Sequence, residues 1–145
     1  MFFTNDGGVN WNRILLGDGI TRNFTSVNII SSTKVVAGHD NGFVVFTMNF
    51  AGSASYTASG VTDVTIPSNT KTGTDSDGVN IWIVYNNYIR KTPINVPGTH
   101  IYNIQISEIG SGKYNAIDVY NSTHAVAVGT NMISYTVNDG TNCIH

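Results

Sequence analysis

Short apolar runs recur along this chain between polar stretches, and none shows a convincing helical period. Strands are predicted at 24–30, 61–66 and 114–120, where the stretches 26–29, 63–66 and 116–119 alternate polar and apolar residues, the period of a strand with one buried face. KVVAG (34–38), NIWIVY (80–85) and HAVAVG (124–129) are almost continuously apolar, as in strands covered on both faces. Further strands are predicted at 42–47, 87–92 and 131–136, and outer ones at 54–58 and 99–106. The unit is therefore four strands, a to d, with a and b expected to be the more buried. The second unit carries a long polar loop, 67–78, between its strands a and b.

The unit repeats. Strands c end in Thr4, Thr47, Thr92 and Thr136, spaced by 43, 45 and 44 residues. Four-stranded units of this period are the signature of β-propeller blades. The expected fold is all-β, one domain over 1–145, with blades near 16–58, 59–106 and 107–143. The strand at 10–15 stands ahead of the first full unit and is expected to complete the last blade. Three blades fall short of the roughly four to eight of a closed ring. The expectation is a homodimer of six blades, each chain's first strand clasping the other's last blade. The rival expectation is a piece of a longer propeller.

Composition narrows the partners. The chain has 145 residues, 11% of them charged, and a net charge of −2. Its seven basic residues are scattered, so no nucleic-acid footprint is visible. No apolar stretch is long enough for a membrane-spanning helix. A single cysteine, Cys143, excludes an intrachain disulfide or a cysteine-built zinc site. The glycosylation sequons at Asn23 and Asn121 are the kind that chance supplies in a chain rich in Asn and Thr.

The stretch TNDGGVNW, from Thr4 to Trp11, resembles an Asp-box, or BNR repeat, of the pattern Ser/Thr-x-Asp-x-Gly-x-x-Trp. TVNDGTNC, from Thr136 to Cys143, is similar to a decayed copy, with Asn138 for the Asp and Cys143 for the Trp. STHAVAVGTNMISYTVNDGTN also resembles the repeat of photosystem II assembly-factor-like propellers. The resemblance implies a structural role for Thr4, Asp6, Gly8, Trp11, Thr136, Asn138 and Gly140. Asp and Gly would shape the turn between strands c and d, and Trp11 would pack between blades.

Sialidases of this type hold a carboxylate with three arginines, and the chain has three: Arg13, Arg22 and Arg90. Their places in the repeat do not match the usual site near strands a. Glu108 is the only Glu, which excludes a paired-Glu glycosidase within one chain. His39, His100, His124 and His145 lack metal-ligand spacing. Asp75-Ser76-Asp77-Gly78 begins like a calcium loop, but no Glu follows at the required distance, so it reads as a polar turn. Trp11, Tyr56, Trp82, Tyr85, Tyr88, Tyr102 and Tyr120 are either interblade core or a sugar platform. No catalytic residue, metal or cofactor is therefore assigned. The leading expectation is a non-catalytic binding or scaffold module whose ligand is a protein or glycan, held at the channel mouth or on loops 67–78 and 97–112. The alternatives are a sialidase-like glycosidase or lyase with a site shared between chains, and a viral or surface structural subunit.

Overall fold

A computed structural model describes residues 1–50, 56–66, 72–97, 102–105, 112–139 and 144. Every element among them is a strand. They are β1 (Phe2–Phe3), β2 (Asn12–Leu15), β3 (Phe24–Ile29), β4 (Lys34–His39), β5 (Gly42–Thr47), β6 (Tyr56–Thr57) and β7 (Ser59–Thr65). They continue as β8 (Gly73–Ser76), β9 (Asn80–Tyr85), β10 (Tyr88–Pro93), β11 (Tyr102–Gln105), β12 (Tyr114–Val119), β13 (Ala125–Gly129) and β14 (Met132–Thr136). Two sheets have four antiparallel strands, ordered β3-β4-β5-β7 and β8-β9-β10-β11. A third, β12-β13-β14, has three, and β1-β2-β6 forms a small sheet in which β2 and β6 run parallel.

The central hairpins form for local reasons. β4–β5, β9–β10 and β13–β14 are joined by two-residue turns at 40–41, 86–87 and 130–131. Asn86 and Asn131 supply the positive φ that such turns require, at 47° and 58°. The turns from strand a to strand b repeat too. Lys34 N–H donates to Ser31 Oγ at 3.1 Å, Asn80 N–H to Asp77 Oδ1 at 2.6 Å, and His124 N–H to Asn121 Oδ1 at 2.9 Å. A short polar side chain thus caps each turn by bonding backbone three residues on.

The period of two along strands b sorts side chains to opposite faces and builds three cores. Val35 and Ala37 join Phe3, Ile14, Val44 and Phe46 on one side of the first full sheet. Val36 points the other way and meets Ile81, Ile83 and Tyr85 of the second. Trp82 and Val84 turn to the third sheet and pack on Tyr114, Ala125 and Ala127.

Four expectations are corrected. The strand predicted at 61–66 as strand a of the second unit is β7, the outer strand d of the first sheet. An edge strand with one covered face reads the same at either edge of a sheet, so alternation could not separate the two. The true inner strand of the second sheet is β8, inside the predicted loop 67–78. The first full sheet thus spans 24–65 and the second 73–105. Burial is greatest in strands b and c, because β3 and β12 are sheet edges with exposed alternate positions. Thr47 also lies one position out of the repeat: Phe46 opposite Val35 is the counterpart of Thr92 opposite Ile81 and Thr136 opposite Ala125.

β2 (Asn12–Leu15) lies between β1 and β6, and the free edge of β14 carries a bridge from Tyr135 to Ile144. Phe3 faces Asn12 and Tyr135 faces Ile144, nine residues apart in each pair, so the two ends repeat one hairpin geometry.

Candidate functional site: an apolar groove beside two strand edges

The groove lies between β1 and β3. β1 is an edge strand of its sheet, and so is β3. Between them is an open cavity of about 670 Å³, walled by Phe2, Phe3, Trp11, Phe24, Val27 and Phe46 among others. Phe3 and Phe50 meet edge to face, their centroids 6.0 Å apart, and hold the floor. Phe2, Trp11, Val27 and Ile29 are each more than half exposed, so the wall is apolar and open to water. Exposed apolar surface gathered in this way marks a binding surface more often than singly scattered residues do.

The turn from Thr4 to Trp11 forms one rim. Thr4 Oγ–H donates to Asp6 Oδ1 at 2.8 Å, and Gly8 N–H donates to Thr4 Oγ1 at 2.9 Å. Asn10 donates to Asp6 from its backbone N–H at 2.9 Å and from its side chain at 2.7 Å. These bonds to the ionised carboxylate hold the Asp6 pKa down at about 2, the Asn10 N–H being the largest cause. Gly7 and Gly8 take φ of 73° and 95°, which a side chain would resist. The turn docks on its neighbour through Asn5 Nδ2, which donates to Phe50 O at 2.9 Å. At the other end Thr136 Oγ–H donates to Asn138 Oδ1 at 3.1 Å, a thinner version of the same turn. Gly140 lies outside the described residues. Trp11 is 61% exposed on the groove rim and does not pack between sheets as the resemblance implied; Trp82 fills an interblade core instead.

The arginines are separated. Arg13 is on β2, Arg90 on β10, and Arg22 on the segment leading into β3. Arg22 borders a second cavity of about 490 Å³ together with Asp18. Its guanidinium already bonds Asp18 at 2.7 Å and Asp63 at 2.5 Å. Both partners raise its pKa, Asp18 chiefly, so its donors are engaged within the protein. Arg90 lies 4.9 Å over the Tyr85 ring, and Tyr85 stacks on Tyr88. His39 is buried; its Nδ1 accepts Asn41 N–H, which leaves Nε2–H to donate to Asp63 at 3.2 Å. His124 is exposed beside Tyr120, itself 86% exposed. His100, Glu108, His145 and most of the loop 97–112 lie outside the described residues. Among the described residues there is no group of three or more His, Cys, Asp or Glu placed to hold a metal, and no helix long and apolar enough to cross a membrane.

Two clusters escaped the sequence reading. Lys91, from β10, reaches across to the third sheet, where its ammonium donates to Ser122 O at 3.1 Å and to Asp139. It also lies 4.6 Å over the Trp82 ring and 3.8 Å from Asp77. Asp75, in the predicted turn, bonds Asn28 of β3 and Val119 N–H of β12. Neither has a sequence motif, because each is assembled across sheets.

No protein-family model matches the sequence, and no curated protein matches it. Among solved structures the chain is similar to YCF48 bound to D1 peptide, at 17% identity and a TM-score of 0.66. The match covers 87% of this chain and 41% of that one, so the chain spans less than half the length of that structure. At this identity the likeness speaks to the fold, and with the four sheets it shows that the chain folds as part of a β-propeller.

Proposed function

We propose that this chain is a non-catalytic protein-binding module, and that it takes an extended, partly apolar segment of a partner in the groove between β1 and β3. The observation that carries the reading is the groove itself: about 670 Å³ of mostly apolar wall bordered by two strand edges. An edge strand offers unpaired backbone groups, and an apolar wall accepts alternate side chains of an added strand. The similar structure being one of YCF48 bound to D1 peptide supports a protein ligand over a glycan. The turns at Thr4, Asp6, Gly8 and Trp11, and at Thr136 and Asn138, then act as scaffold, the first forming the groove rim. The glycosidase alternative is disfavoured because Arg22 spends its donors on Asp18 and Asp63. Pairing with a second copy belongs to the same proposal, but the six-bladed clasp by strand exchange does not, since β2 already pairs with β1 and β6 in its own sheet.

The test is a titration with a synthetic peptide of about ten residues alternating valine and threonine, followed by Trp11 fluorescence. Saturable binding with a blue shift is expected. Placing prolines at alternate positions, or making Ile29→Asp in the groove wall, should weaken it by about tenfold or more. Unchanged Trp11 emission across a panel of such peptides would sink the reading.

A further inference from the structure

We infer that the outer face of the third sheet is a docking surface for a second copy of this chain, which it meets on the face of the β1–β2 hairpin that carries Phe2. The internal repeat identifies the surface. In the first full sheet Val36, Phe43 and Val45 face the next sheet and are 0%, 1% and 3% exposed. The same positions of the second sheet hold Trp82, Ile89 and Lys91, which are 0%, 4% and 7% exposed against the third. In the third sheet they hold Val126, Ile133 and Tyr135, which are 44%, 65% and 42% exposed. The same chemistry that builds two interblade cores is bare at the third.

The complementary surface is present on the same molecule. Each covered face meets the opposite face of the following sheet. On the β1–β2 hairpin that opposite face is bare: Phe3 and Ile14 enter the core, while Phe2 is 66% and Leu15 40% exposed. An isolated bare face could accept many partners. One chain carrying both halves of a repeating interface fits its own copy head to tail, and two such contacts close about a twofold axis. The contact is face to face, without exchange of strands. β2 lies between β1 and β6, and Ile144 bridges the outer edge of β14.

The arrangement deepens the protein-binding reading, on which its second half rests. Phe2 and Trp11 line the groove, and Phe2 also stands on the docking face. The neighbour's Ile133 and Tyr135 would then supply the groove's missing outer wall, so the site is complete in the pair.

The experiment uses the whole chain with Cys143→Ser, carrying Phe2→Cys, Ile133→Cys, or both, with mass read by light scattering before oxidation. A dimer is expected, with a disulfide between chains in the double variant and in mixtures of the two single variants. Either single variant alone should not cross-link. Ile133→Asp and Phe2→Asp, both at exposed positions and checked by circular dichroism, should each raise the dimer dissociation constant by about a hundredfold. A monomer at every concentration overturns the inference and leaves the face to another occupant, such as further blades of a longer polypeptide. A dimer indifferent to both Asp variants, or cross-linking of one single variant with itself, overturns it as well. The two proposals fail separately: a monomer that still binds the peptide retires the docking surface, and a dimer that binds none retires the groove.

Discussion

Asn28 on β3 donates its side-chain amide to Asp75 Oδ1 on β8 at 2.5 Å, and the other Asp75 oxygen accepts Val119 N–H at 2.6 Å. One carboxylate therefore ties the inner strands of three successive sheets. Around it Ser26 and Thr74 hydroxyls meet at 2.9 Å, and Thr25 donates to Thr72 O at 2.7 Å. The inner strands are thus joined by polar side chains while the apolar cores lie farther out along the b and c strands.

The first prediction concerns this tie. Asp75→Ala removes the acceptor for two charge-assisted bonds, each worth about 1.5–3 kcal/mol, and partial exposure of Asp75 reduces the total. A loss of about 2 kcal/mol is expected, together with faster hydrogen exchange at the Val119 amide. Thermal unfolding by circular dichroism and amide exchange measure the two. An unchanged Val119 amide would show that the tie carries no load.

The buried ammonium makes a second prediction. Asp77, whose side chain is fully buried, accepts Trp82 Nε1–H at 3.0 Å and two backbone N–H groups. Burial raises its pKa, but the bonds from Trp82 and the turn outweigh burial and leave it below the usual value. Lys91→Met takes the cation from between Asp77 and Asp139 and should destabilise by about 3 kcal/mol, as expected when one member of a buried pair is removed. Trp82→Phe should cost less, about 1.5 kcal/mol, if the ring's packing is kept and only its hydrogen bond is lost. Urea unfolding of both variants tests the order; equal losses would mean that packing on Trp82 dominates.

Much of the molecule is legible in the sequence, and the failures share a cause. In the hairpins β4–β5, β9–β10 and β13–β14 an apolar strand b runs into a tight polar turn and a strand c, so local pattern suffices. The turn at Thr4 is legible for the same reason, since its bonds close within seven residues, from Thr4 to Asn10. β8 is not legible. Its residues, GTDS, are polar because Ser26, Asn28 and Val119 bond them across sheets, and a polar run reads as a loop. The groove is equally hidden. Phe2, Trp11, Phe24 and Phe46 come from four separate segments, and nothing in their spacing announces that they meet. The exposure of Trp11 shows the limit of a motif, which fixes a turn's hydrogen bonds but not what lies beyond its rim.

Acid should loosen the N-terminal turn. The Asp6 pKa is depressed, from 3.8 to about 2, so its stabilising bonds are fully present above the unfolded value and are lost as pH falls through the folded one. The window runs from pH 3.8 down to about 2. Carbon-detected NMR of the Asp6 carboxyl should titrate near the lower end, and the Asn10 amide should lose protection over the same range. Asp6→Asn should abolish that dependence. A carboxyl midpoint at the ordinary aspartate value would show that the Asn10 bonds do not persist in solution.

The last prediction tests the seating of β7 as an outer strand. Gly42 opens β5 at φ 147°, and a Cβ there would stand 2.0 Å from the carbonyl oxygen of Val64. Backbone cannot swing aside as a side chain does, so Gly42→Ala must push β7 away from β5. The displaced segment carries Asp63, which holds Arg22 and His39, and leads to Ile66, whose N–H donates to Asn41 O at 2.8 Å. The substitution should therefore cost more than the roughly 1 kcal/mol of a typical point substitution, about 3 kcal/mol, and should expose Asp63 and Ile66 amides to exchange. Gly7→Ala is the control: its φ is also positive, at 73°, but no atom stands within 4 Å of the added carbon. It should cost about 1 kcal/mol from backbone strain alone. If the two variants unfold alike, the strand at 59–65 does not press on Gly42, and its assignment to the first full sheet fails.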